Sequence, residues 1–140
     1  MSSSPGSLEG RRVVVTDDNA SKLTALSQIL RTAGLCVFAA YDGHSALELI
    51  AQLPDIGLLV TNTRLGVVDG PELMRRTREI RPDMPILHVL HNGHPNGHTP
   101  ADVMSLREPF TPERLLTAVS ALLRKSSELE RLPYQVETGY

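Results

Sequence analysis

The stretch Leu58-Leu59-Val60-Thr61-Asn62-Thr63-Arg64 decides how the chain is read. It closes an apolar run, residues 56–60, which stops abruptly in polar residues and leads into a Gly-containing turn at 65–70. Such a run reads as a buried central strand whose carboxyl end opens onto a loop. In open α/β sheets, ligands and chemistry gather just outside the carboxyl ends of the strands. Position 62 is therefore where the functional site is expected, and it carries an amide.

Working outward, the β-branched run Arg12-Val13-Val14-Val15-Thr16 predicts a strand ending in Asp17-Asp18-Asn19. Leu23, Leu26, Ile29 and Leu30 recur at helical spacing up to Gly34, and residues 36–40 predict a second strand. Asp42 can cap a helix whose apolar face is Ala46, Leu47, Leu49, Ile50 and Leu53. Pro71 suits the first turn of a helix that carries Leu73, Met74, Thr77 and Ile80, and residues 85–90 predict a fourth strand. Residues 91–100 hold two Asn-Gly pairs and a His-Pro, which makes them turn-rich and poor helix formers. A short fifth strand is expected at 103–106. Thr111-Pro112-Glu113 then opens a final helix with the buried stripe Leu115, Leu116, Val119, Leu122 and Leu123.

Strands alternating with helices predict an α/β fold. Five such units point to a flavodoxin-like, doubly wound, five-stranded parallel sheet of order 2-1-3-4-5, with helices on both faces. The expected organisation is a flexible lead at 1–10, one domain at 11–124, and a helix extension with tail at 125–140.

Composition narrows the function classes. A net charge of −2 over 140 residues gives no general pull toward nucleic acid or an anionic membrane. A single cysteine, Cys36, excludes an internal disulfide and fits a cytoplasmic protein; it is expected to be an inert thiol on a buried strand. No apolar run approaches the roughly 18 residues a membrane span needs. The first residues lack the basic start and apolar stretch of a signal peptide.

Three features share one pattern: the acidic pair Asp17-Asp18 after the first strand, Asp69-Gly70 seven residues beyond Asn62, and Glu108-Pro109-Phe110 opening the last connection. Together they resemble the receiver domains of bacterial two-component response regulators, over roughly residues 11–124. The resemblance implies a site in which an acid pair and a phosphoacceptor Asp hold Mg²⁺, while a hydroxyl and a Lys contact the phosphoryl group. Carried over one by one, only Asp17 and Asp18 match. The acceptor position falls on Asn62, the hydroxyl position on Leu90, the Lys position on Glu108, and the aromatic switch position on Ser105.

Each departure has a chemical consequence. An amide oxygen is a far weaker nucleophile than a carboxylate and forms no stable acyl phosphate. Leu90 offers no donor, and Glu108 adds repulsion where a cation would neutralise phosphate. Arg64 or Arg107 is the expected partner of Glu108, or the Asn62 amide donates to it. The implied reading is an atypical receiver, not an enzyme, that acts by protein–protein contact with a histidine kinase or another signalling protein, or as a homodimer. No cofactor is required, although Asp17 and Asp18 could bind Mg²⁺ weakly.

Alternatives stand beside it. Thr61 or Thr63 could accept phosphate instead. A divalent-metal-binding or hydrolytic protein could use Asp17, Asp18 and the cluster His88, His91, His94 and His98, since imidazole suits transition metals. The histidines lack a standard ligand spacing, however, and read better as a solvated, pH-responsive loop. Arg75, Arg76, Arg78 and Arg81 read as a solvated face. The space between the fourth and fifth strands predicts a fourth helix shortened or absent, leaving Val103, Met104 and Leu106 near the surface to meet another chain.

Overall fold

The computed structural model describes residues 8–63, 65–90 and 99–130. Their order is β1 (Arg12–Thr16), α1 (Ala20–Thr32), β2 (Cys36–Ala40), α2 (Gly43–Gln52), β3 (Ile56–Asn62), α3 (Gly70–Ile80), β4 (Ile86–Leu90), β5 (Met104–Arg107) and α4 (Pro112–Glu130). The five strands pair in parallel in the order β2-β1-β3-β4-β5, as the alternation of strands and helices predicts.

Period-two alternation sorts the central strands between two cores. Val13, Val15, Leu58, Val60, Leu87 and Val89 pack with Leu23, Leu26 and Leu30 of α1 and Leu115, Val119 and Leu123 of α4. Val14, Leu59 and Ile86 turn the other way, joined by Ile56 across an irregularity at the start of β3, onto Ala46 and Ile50 of α2 and Leu73 and Met74 of α3. Burial on both faces explains why β3 is an unbroken apolar run up to Thr61.

The helix starts follow local chemistry. Asp42 accepts the Ser45 N–H at 2.7 Å, and that hydrogen bond holds its carboxyl below the usual range. Asp69 caps α3 by accepting from Glu72 N–H, with Pro71 in the first turn. For α1 the cap is Asn19, which accepts the Lys22 N–H.

Several expectations need correction. Cys36 is exposed, because β2 is an edge strand and Cys36 stands in register with the exposed Arg12. Val103 and Leu106 are buried in the two cores, which leaves Met104, 37% exposed, as the apolar residue at the surface of β5. Of the arginines read as a solvated face, Arg75 and Arg76 are exposed as expected, whereas Arg78 and Arg81, the latter just past α3, are half-buried on main-chain carbonyls. Arg75 and Arg76 pair with Glu72 and hold its carboxyl below the usual range. Arg78 donates to Met84 O and pairs with Asp102, while Arg81 donates to Ile56 O at 2.6 Å. Between β4 and β5 the described residues, 99–103, form turns and no helix; residues 91–98 lie outside the described residues.

Candidate functional site at the carboxyl edge of the sheet

Strand order reverses direction between β1 and β3, and the crevice at that switch point gathers the sequence-predicted acids and amide. Asp17 N–H donates to Ala40 O, which extends the β1–β2 ladder by one residue and carries the Asp17 side chain inward to 1% exposure. Asp18, next along, turns out to solvent. The pair is thus divided into one buried and one exposed carboxylate, and neither caps α1.

Asn62 faces Asp17 across the crevice. Its Nδ2 donates to Asp17 Oδ2 at 3.0 Å, while its Oδ1 accepts the Thr63 N–H at 2.5 Å. The opposite amide orientation would set oxygen against oxygen and N–H against N–H, so the two bonds fix the orientation together. The other Asp17 oxygen accepts the Asn19 N–H at 2.9 Å. The loop from Thr63 back to α3 closes on this group. Gly70 N–H donates to Thr63 O at 2.8 Å, and a Cβ at Gly70 would run into the Asn62 carbonyl. That close approach is the physical content of an Asp-Gly pair at this distance from Asn62.

Glu108 donates its backbone N–H to Leu90 O at 2.8 Å, which places its side chain at the same edge. Its carboxylate accepts from Lys22 Nζ at 3.0 Å. Lys22 is the functional residue that the sequence reading missed, and the Asn62 amide goes to Asp17 instead of Glu108. The signal was available: Lys22 sits three residues past the Asn19 cap, in the first turn of α1 beside the acid pair. Arg64 lies outside the described residues. If the pair holds the rim together, Glu108→Lys should destabilise the fold by about 1 kcal/mol, and adding Lys22→Glu should restore it. A double-mutant cycle read by urea unfolding checks this.

The remaining predicted residues are placed plainly. Leu90 is buried at the end of β4, and Ser105 is exposed on β5. Thr61 is buried and its hydroxyl donates to Asn62 O at 3.0 Å. His88, expected in a solvated cluster, is fully buried between Thr63 and Thr99; His91, His94 and His98 lie outside the described residues. Among the described residues, no three His, Cys, Asp or Glu side chains stand together as a metal site.

A divalent cation does not fit this arrangement. Mg²⁺ takes oxygen ligands in near-octahedral geometry. Here the amide turns its N–H, the positive end of its dipole, toward the buried carboxylate, and both Asp17 oxygens already accept protein N–H donors. The amide occupies the electrostatic role beside Asp17 that a cation would otherwise fill.

With this geometry in place, the comparisons with known proteins follow. The sequence profile described as response regulator receiver domain matches residues 13–120. The chain belongs to the response regulator receiver family. Among curated relatives, it is 32% identical over 125 residues to the transcriptional regulatory protein TrcR of Mycobacterium tuberculosis, covering 86% of this chain and 48% of TrcR. It is 29% identical over 117 residues to the receiver protein CpdR of Brucella abortus, covering 81% of this chain and 97% of CpdR. The receiver thus spans about half the length of the first relative and nearly all of the second. Among solved structures, it superposes on a response regulator receiver protein from Sinorhizobium medicae with a TM-score of 0.76 and 34% identity, covering 86% of this chain and 99% of the other. No helix among the described residues is long and apolar enough to cross a membrane.

Proposed function

We propose that this receiver works in two-component signalling as an atypical, non-phosphorylated member, which presents its surface to a histidine kinase or another regulator in the cytoplasm. The observation that carries the reading is the 3.0 Å bond from Asn62 Nδ2 to the buried Asp17. It puts a donor where the family's chemistry needs a nucleophilic carboxylate, and an amide yields no stable acyl phosphate. The ion pair Lys22–Glu108 supports the same reading, since the cation at the rim is already matched by a carboxylate. On this reading the protein needs no cofactor and catalyses no reaction of its own. Its conformation is set by the fixed network Asn19–Asp17–Asn62–Thr63.

The test is incubation with a small acyl phosphate or phosphoramidate, with and without Mg²⁺, followed by intact mass measurement. The expected result is an unchanged mass and no response of the melting temperature to Mg²⁺. Phosphate recovered on the chain would overturn the proposal, and mapping it to Thr61 or Thr63 would establish the alternative acceptor. Sedimentation of the same samples reads whether a second copy of the chain is the partner.

A further inference from the structure

The amino edge of the sheet, at the far end of β3 from Asn62, carries a cavity of about 270 Å³. Arg11, Arg12, Asp55, Ile56, Gly57 and Arg81 belong to its wall. The topology explains the gathering. Arg11 and Arg12 lead into β1, Asp55 leads into Ile56 at the start of β3, and Arg81 caps the end of α3. In a parallel sheet every crossover returns the chain to this same edge.

Each guanidinium is held in place by the protein itself. Arg81 Nη2 donates to Ile56 O at 2.6 Å, and Ile56 is part of the wall. Arg12 pairs with Asp55 at 3.2 Å, and its Cζ lies 6.0 Å from the centre of the Phe38 ring. Arg11 Nη2 donates to Leu123 O at 3.4 Å, beside Gly57, which adds no side chain there. Fixing long side chains in advance removes much of the ordering cost that binding otherwise carries.

The charge of the wall is one-sided. Three guanidiniums against one carboxylate give it a formal charge of +2, on a chain whose net charge is −2. Arg81 matters most. It is half-buried, its Nη2 meets an uncharged carbonyl, and its Nη1 is buried with no hydrogen-bond partner among the described residues. A buried charged donor without an acceptor is costly, and an anion close to the same guanidinium offsets that cost.

We infer that this cavity binds a phosphoryl dianion, as free phosphate or as the end of a small phosphate monoester. Guanidinium forks match phosphate oxygens in geometry. The formal charge of +2 favours a dianion over a carboxylate. At about 270 Å³ the cavity falls just below the roughly 300–1,000 Å³ of pockets that enclose whole small molecules, which favours a compact anion. Reversible binding here adds nothing covalent to the chain and does not involve Asn62. The inference and the proposed function therefore stand or fall separately.

The experiment is a ¹H–¹⁵N titration of the full chain with inorganic phosphate, glycerol phosphate and acetate. It is run at constant ionic strength and about pH 8, where phosphate is doubly ionised. Phosphate is expected to give saturable shifts at residues 10–12, 55–57 and 81, and to raise the melting temperature. Arg12→Gln removes a charge-assisted contact and should weaken binding roughly tenfold. Asp55→Asn removes the acid of the wall and should tighten binding about threefold. Arg75→Gln, on the exposed face of α3, should leave the affinity unchanged. Arg81→Gln should abolish saturable binding, and the variants at the exposed positions 12 and 55 keep the test decisive if it unfolds. A preference for either phosphate or glycerol phosphate supports the site and names its source. Acetate binding as tightly as phosphate, shifts at residues 17–19 and 62–63 instead, or an affinity that none of the variants changes would overturn it.

Discussion

Asn62→Asp is expected to lower stability by about 2–4 kcal/mol at pH 7 without divalent cations, a fall in melting temperature on the order of 10 °C. The substitution changes few atoms but reverses the logic of the crevice. The bond from Nδ2 to Asp17 is lost, and two carboxylates face each other where Asp17 is already buried. One of them must then take up a proton or move away. The same variant assembles three acids at the carboxyl edge, Asp17, Asp18 and the new carboxylate, with oxygen where the native chain offers N–H. Mg²⁺ should therefore bind the variant and recover most of the loss, whereas the native protein should show no shift. Thermal unfolding across a Mg²⁺ titration reads both arms. A variant as stable as the native chain in the absence of Mg²⁺ would show that the amide bond does not hold the crevice.

The second large effect is expected at Gly70. A Cβ there meets the Asn62 carbonyl oxygen and the Thr63 Cα, both main-chain atoms that no side-chain rotation can move aside. Gly70→Ala should cost about 3 kcal/mol, at the upper end for overpacking a well-fitted site. It should also perturb the Asn62 and Thr63 amide resonances. Gly66 is the control. Its φ of +84° disfavours a side chain, but nothing lies within 4 Å of the added carbon. Gly66→Ala should cost only the left-handed strain, about 1–2 kcal/mol. Urea unfolding with unchanged slope and shifted midpoint separates the two; equal losses would place the effect of Gly70 in conformation and not in contact.

The sheet was legible because its information is local and periodic. Residues 56–60 could not be anything but a buried strand once flanked by helix-period segments, and the order of units left one strand arrangement favoured. The positions Asp17, Asn62, Leu90 and Glu108 were singled out by the family resemblance, and of these the structure joins Asp17 to Asn62 directly. What was not legible depended on depth and on pairing across the chain. Cys36 reads as a core residue until β2 is known to be an edge. His88 reads as part of a polar cluster until its strand is seen to be fully covered. Lys22 and Glu108 are 86 residues apart, and no local pattern joins them. Their pairing follows only from the folded rim, where α1 begins beside the end of β5.

That pairing bears on how such a site could change over generations. A lysine placed at 108 alone would confront Lys22, and an aspartate placed at 62 alone would confront Asp17. Either single replacement is expected to lower stability, whereas a paired change of both partners is expected to be tolerated. Each of the two positions is thus held by its own partner across the chain, Asn62 by Asp17 and Glu108 by Lys22, so that an exchange at either one alone carries a stability cost.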